Sequence, residues 1–187
     1  MSTRLTNLKV PFTFQFNITA AGTPEQLSVK IVAATIAFAE GGAGADTITD
    51  SGNGFLIAGF QAGDQITVSG SASNDETYTI DSVVAGTITL RERNDLATEE
   101  VGETVKITAP KTVSDGIAVA IKAKYGNTST IHLADSSAKA LNSSGGNFTL
   151  RNNETISLQV NDISNIWLDA AVTDEGVEVM FEKGLQA

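Results

Sequence analysis

The sequence predicts an all-β protein: a β-sandwich or jelly-roll-like domain carrying a small inserted β-barrel or β-meander module. Two observations carry this. Apolar residues alternate with polar ones at period two along most of the chain, the pattern of strands with one buried face. Seventeen glycines against three prolines, set among many Thr, Ser and Asn residues, give short strands and frequent turns. A helical period is nowhere sustained.

The elements follow in order. In PFTFQFNIT, Phe12, Phe14, Phe16 and Ile18 point to one side, and Thr13, Gln15, Asn17 and Thr19 to the other. Three rings on one face mark a strand that lines the core. The apolar run IVAATIAFA spans 31–39. Gly41, Gly42 and Gly44 then let the chain leave that strand and turn into a second module, whose first strand begins near Asp46. Alternation resumes at Ile66 and Val68, at Tyr78 and Ile80, and at Ile88 and Leu90; Ala85-Gly86 between the last two pairs is a hairpin signal. NDLATEEV at 94–101 and DSSAKALN at 135–142 each offer one helical turn, with Asn94 or Asp95 and Asp135 as caps, and both are too short to be stable alone. TAPKTVSDG at 108–116 reads as a linker. The final strands carry Ile117, Val119 and Ile121; Ile156, Leu158 and Val160; Ile166 and Leu168; and Val177, Val179 and Phe181.

Composition excludes several classes of function. With 187 residues, 41% of them hydrophobic, the chain can bury a core in one large domain or two small ones. It has no cysteine, so neither a disulfide framework nor a thiolate metal site is possible. A net charge of −10 repels phosphate backbones, which argues against nucleic acid as a partner. The longest apolar run is too short to span a bilayer, and the first twenty residues lack the apolar core of a signal peptide, so no membrane association is expected.

Few residues are candidates for chemistry. GGAGADTITD at 41–50 matches the calcium-binding repeat G-G-x-G-x-D-x-U-x at every defined position. It occurs once, however, and Asp46 with Asp50 offers few of the roughly six to eight oxygens that calcium takes. A glycine-rich loop is therefore the favoured reading, and no metal or other cofactor is expected. SNDETY reads as a solvated turn. The only histidine, His132, alternates with Ile131 and Leu133 and is expected to face solvent or a neighbouring subunit. There is no G-x-S-x-G elbow and no pair of acids that stands out, so no enzymatic activity is expected. Trp167 lies out of phase with Ile166 and Leu168 and should face outward, as an interface anchor or, like Tyr125, a sugar platform. Arg4 and Lys9 mark an N-terminal arm suited to pairing with a neighbouring subunit.

Two stretches resemble bacteriophage structural proteins. TITDSGNGFLIAGFQAGDQITVSGSASNDETYTIDSVVAGTITLRE (47–92) is similar to a small β module of such proteins, through its DSGNGF turn and AGFQAGDQITVSGS. GIAVAIKAKYGNTSTIHLADSSAKAL and LRNNETISLQVNDISNIWLDAAVTDEGVEVMF resemble another phage virion β domain. In that domain a segment like AAGTPEQLSV lies just upstream of the IAVAIKA strand; here the 47–92 module separates them. The resemblance thus implies one domain from residues 1–33 and 110–187, with 34–109 inserted into a loop, where extra length costs little entropy. It further implies a virion protein assembled in the host cytoplasm. The expected role is a head decoration or cement protein, a homotrimer that binds the major capsid protein or another virion protein and stabilises the capsid. The alternatives are a tail, baseplate or neck component, and a carbohydrate-binding or adhesin module.

Overall fold

The structure, a computed structural model, describes residues 9–111, 113, 118–141 and 146–184. The chain divides into two compact units, Met1–Leu27 with Lys111–Ala187, and Ser28–Pro110. It runs through β1 (Lys9–Asn17) and β2 (Glu25–Gln26) in the first unit. The second unit holds β3 (Val29–Ala33), β4 (Ile36–Ala39), β5 (Thr47–Asp50), the helical turn α1 (Phe55–Ala58), β6 (Gln65–Ser69), β7 (Thr77–Val84), β8 (Thr87–Leu90) and β9 (Val105–Ala109). The return to the first unit gives β10 (Ala118–Ala123), β11 (Ile131–Ala134), the short helix α2 (Ser137–Ala140), β12 (Phe148–Leu150), β13 (Thr155–Gln159), β14 (Trp167–Ala170) and β15 (Gly176–Gly184).

The first unit is built from two four-stranded antiparallel sheets, ordered β1-β15-β10-β13 and β12-β11-β14-β2. Their inward faces read directly from the alternation. Phe12, Phe14 and Phe16 are buried with Val119, Ile121, Val177, Val179 and Phe181 on one sheet, and with Ile131, Leu133, Leu168 and Ala170 on the other. Each buried aromatic or long aliphatic side chain contributes about 1.5–3 kcal/mol by leaving water. The first and last described strands pair over their whole length, from Lys9↔Gly184 to Asn17↔Gly176. That register stacks Phe12 on Phe181, with ring centroids 5.1 Å apart and planes tilted by 55°. The buried Lys111 ammonium sits 5.0 Å from the centre of the Phe12 ring, a cation–π contact.

The second unit is one seven-stranded antiparallel sheet in the order β3-β9-β6-β7-β8-β5-β4. Its two edge strands, β3 and β4, are joined only by Ala34-Thr35, so the sheet rolls until they meet. The bend lies in β7, whose register shifts between Ile80 and Ser82; its first half pairs with β6 and its second half with β8. Ile48, Ile66, Tyr78, Ile80, Ile88 and Ile107 fill the inside.

Three expectations need correction. The run at 31–39 is not one strand: it divides between Val29–Ala33, which pairs with Val105–Ala109, and Ile36–Ala39, both in the second unit. Gly41–Ala45 is accordingly not a junction between domains but the loop of the β4–β5 hairpin, which pairs Ala39↔Thr47. The segment 94–101 forms no helical turn. Leu96 is buried, and Glu99 exchanges backbone hydrogen bonds with Phe38, both 2.9 Å, which draws the chain out alongside β4.

Candidate functional site

The most elaborate polar arrangements in the molecule are centred on carboxylates, and each ties loops together. Asp46, fully buried at the foot of β5, is the aspartate of the calcium-like motif. Its Oδ1 accepts from the N–H groups of Gly41 (2.8 Å) and Asn94 (3.2 Å), and its Oδ2 from those of Asp95 (2.8 Å) and Leu96 (3.0 Å). One carboxylate thus closes its own hairpin loop and clamps it to a segment about fifty residues away. Asp50, at the other end of β5, accepts from the Thr35 hydroxyl (2.6 Å) and from the N–H groups of Gly52 (2.9 Å) and Gly54 (2.8 Å). The two acids are four steps apart along an extended chain, about 13 Å. They cannot chelate one ion, and their oxygens are engaged by the protein's own donors. Among the described residues no three His, Asp or Glu side chains come together in a way that would hold a metal.

The SNDETY turn is a second knot. Asn74, buried, donates from Nδ2 to the Ala97 carbonyl (3.0 Å) and to Glu99 Oε2 (2.9 Å), and accepts from the Ala97 N–H (2.8 Å). Tyr78 donates its hydroxyl to the Asn74 carbonyl at 3.2 Å. Burial first, and then the surrounding acids Glu76, Asp95, Asp46 and Asp75, push that phenol up to about 12. The turn that looks solvated in sequence therefore has a buried centre.

The third knot lies in the first unit and was not anticipated. Glu175, buried at the start of β15, accepts from the N–H and hydroxyl of Thr128 (hydroxyl 2.8 Å) and from the N–H (2.7 Å) and hydroxyl of Ser129. Asn127 beside it mimics a strand, with Nδ2 donating to the Gly176 carbonyl (2.9 Å) and Oδ1 accepting from the Gly176 N–H (3.2 Å).

These environments predict acid lability. For Asp46, Asp50 and Glu175, burial alone pushes the carboxyl upward, but the converging donors outweigh it and hold each group below its ordinary value of 3.8 or 4.5. A carboxylate with a depressed folded value adds stability that is fully present above its unfolded value and is lost as pH falls through the folded one. Stability is therefore expected to be flat from pH 7 down to about 5.5 and to decline below about 4.5, and urea unfolding along a pH series checks this.

The remaining candidates do not converge. His132 is not exposed: it is buried on the outward face of β11, opposite Asp169 of β14, with Nε2 3.1 Å from the Thr130 hydroxyl. The alternation with Ile131 and Leu133 holds, yet His132 and the Asp169 opposite it are both buried, so this face of the sheet is covered where they meet. Trp167, on the same face further along β14, is half-buried. Tyr125 is 84% exposed in the turn after β10, a strand of the other sheet, so it and Trp167 sit on different sheets. Lys9 begins β1, its backbone paired with Gly184. Arg4 lies outside the described residues, as does Ile117. An open hollow of the second unit, about 560 Å³, is walled by Asp50, Asn53, hydroxyls and small aliphatic groups, among them Thr35, Thr49, Val84 and Val101. It holds no arrangement of base, nucleophile and oxyanion donors.

Fold and site together define an all-β protein of two units whose buried acids organise loops. Matched against protein-family models, curated proteins and solved structures, the chain finds no counterpart in any of the three.

Proposed function

We propose that the protein is a structural component of a bacteriophage virion, and within it a head decoration or cement protein that binds the assembled capsid and stabilises it mechanically. The observation that carries this reading is the resemblance of residues 47–92 and of the stretch from Gly116 to Phe181 to β modules of phage virion proteins. Two further features support it. The elaborate polar sites stiffen loops, which suits a load-bearing part. Charge is also segregated: residues 28–110 hold twelve of the 22 acids and four of the twelve bases, a net −8, which leaves −2 for the rest. In this reading the weakly charged first unit contacts the shell and the acidic inserted unit projects or bridges to neighbours.

Separated heads and tails from disassembled particles test it. The protein is expected in the head fraction. Recovery from tails alone would move it to the tail, baseplate or neck, and absence from both fractions would end the virion reading.

A further inference from the structure

We propose that the free edge of β13 accepts an added strand, and that the donor is the segment preceding β1 in a second copy of this chain. The two lateral sides of the sandwich differ. On the β1 side the inward rings Phe12, Phe14 and Phe16 are at most 5% exposed. On the β13 side the core is open. Ile156 and Leu158 are only half-buried, and Phe148 is 66% exposed even though its register with Leu133 puts it on the inward face of β12. Between them lies a groove of about 230 Å³, lined by Leu133, Phe148, Ile156, Leu158, Val160 and Ile166.

Among the described residues no strand pairs with the far edge of β13, the strand beside this groove. The Ala123 N–H donates to the Glu154 carbonyl at 2.9 Å. Alternation along the antiparallel ladder then commits the backbone of Ile156 and Leu158 to β10 and turns that of Thr155, Ser157 and Gln159 to the free edge. Within β13 there is no proline, lysine or bulge to guard that edge. An unpaired edge next to an apolar groove is the geometry of strand addition, in which main-chain bonds supply affinity and alternate side chains fill the groove.

Size and charge select the occupant. A five-residue strand is about 17 Å long, and sheets stack about 10 Å apart. The flat edge of the sandwich therefore offers far less than the roughly 800 Å² per partner of a stable interface. A wedge inserted into the groove fits better than a second sandwich edge laid against it. Residues 1–8 contain Arg4 and no acid, whereas the rest of the chain holds eleven bases and 22 acids. The segment before β1 is thus attracted to the body of another copy. Its eight residues can span about 26 Å when extended, more than the length of β13. Because β1 and β13 lie at opposite edges of one sheet, donation from copy to copy is head-to-tail, a contact that forms a ring when the rotation between copies closes. None of this depends on the virion role.

The oligomeric state tests the proposal. The full chain is expected to run as a closed oligomer by light scattering. Deleting residues 2–8, or making Ser157→Pro, which removes an outward N–H and no bond to β10, is expected to give a folded monomer. Phe148→Ser, at an exposed position, should weaken the assembly in the same direction. In the unmodified oligomer, amide exchange at Ser157 and Gln159 should slow by about tenfold or more relative to the diluted monomer. A monomeric full chain, or an oligomer that survives either the deletion or Ser157→Pro, would overturn the proposal, as would unprotected amides in a stable oligomer.

Discussion

Asp46→Asn is expected to destabilise the second unit by about 3–4 kcal/mol, although it removes only a charge. Four backbone N–H groups point at this carboxylate from Gly41, Asn94, Asp95 and Leu96. An asparagine offers one oxygen to two of them and turns an NH2 group toward the other two, so buried donors lose their acceptor. Hydrogen bonds to a charged group are worth about 1.5–3 kcal/mol each, and leaving donors unpaired adds to the loss. Two units need not unfold together, so the change is best read residue by residue in urea. The hairpin 39–47 and the segment 94–99 should lose protection while β1 and β15 keep theirs. A loss under about 0.5 kcal/mol, the level of an ordinary surface change, would show that the clamp is dispensable. Calcium should leave the melting temperature unchanged, because the same oxygens are already engaged.

Gly176→Ala should be as damaging in the first unit, at about 3 kcal/mol or more. A Cβ at Gly176 would lie 2.0 Å from the Phe16 carbonyl oxygen, 2.9 Å from its carbon and 3.0 Å from the Asn17 Cα. These are backbone atoms of β1, with no side chain that can swing aside. The pairing of the first and last strands would have to open here, taking with it the Asn127 bonds to Gly176 and the adjoining Glu175 knot. Gly42→Ala is the control: it has φ +56 but nothing within 4 Å, so it meets only backbone strain of about 1–2 kcal/mol. Equal effects at the two positions would contradict the close-approach account.

Strand phases were legible because period two is a local property. Phe12, Phe14, Phe16, Ile66, Val68, Ile88, Leu90, Val177 and Val179 are all buried, as alternation requires. What was lost depended on distant partners. Nothing at Ala34-Thr35, neither glycine nor proline, announces that IVAATIAFA breaks into two strands at opposite edges of a rolled sheet. The α1 turn is four residues ended by Gly59 at φ +97, too short to show a period. His132 is buried on the face that alternation assigns to solvent, opposite the equally buried Asp169, and a local pattern does not show what covers a face. Asp46 resembled a metal ligand because the motif is local, while its actual donors at 94–96 come from a remote segment. Glu175 carried one readable signal, an acid directly before a glycine at a strand start, but its partners Thr128 and Ser129 are forty-six or more residues away.

The proposed role, a structural part bound to a phage shell, is open to direct test. The most direct measurement mixes purified full-length protein with expanded heads assembled without it, sediments them, and then heats them. Saturable co-sedimentation at a fixed number of copies per head and a higher temperature of head disruption are expected. Heads that sediment without the protein at saturating concentration, and that break at an unchanged temperature, would contradict it.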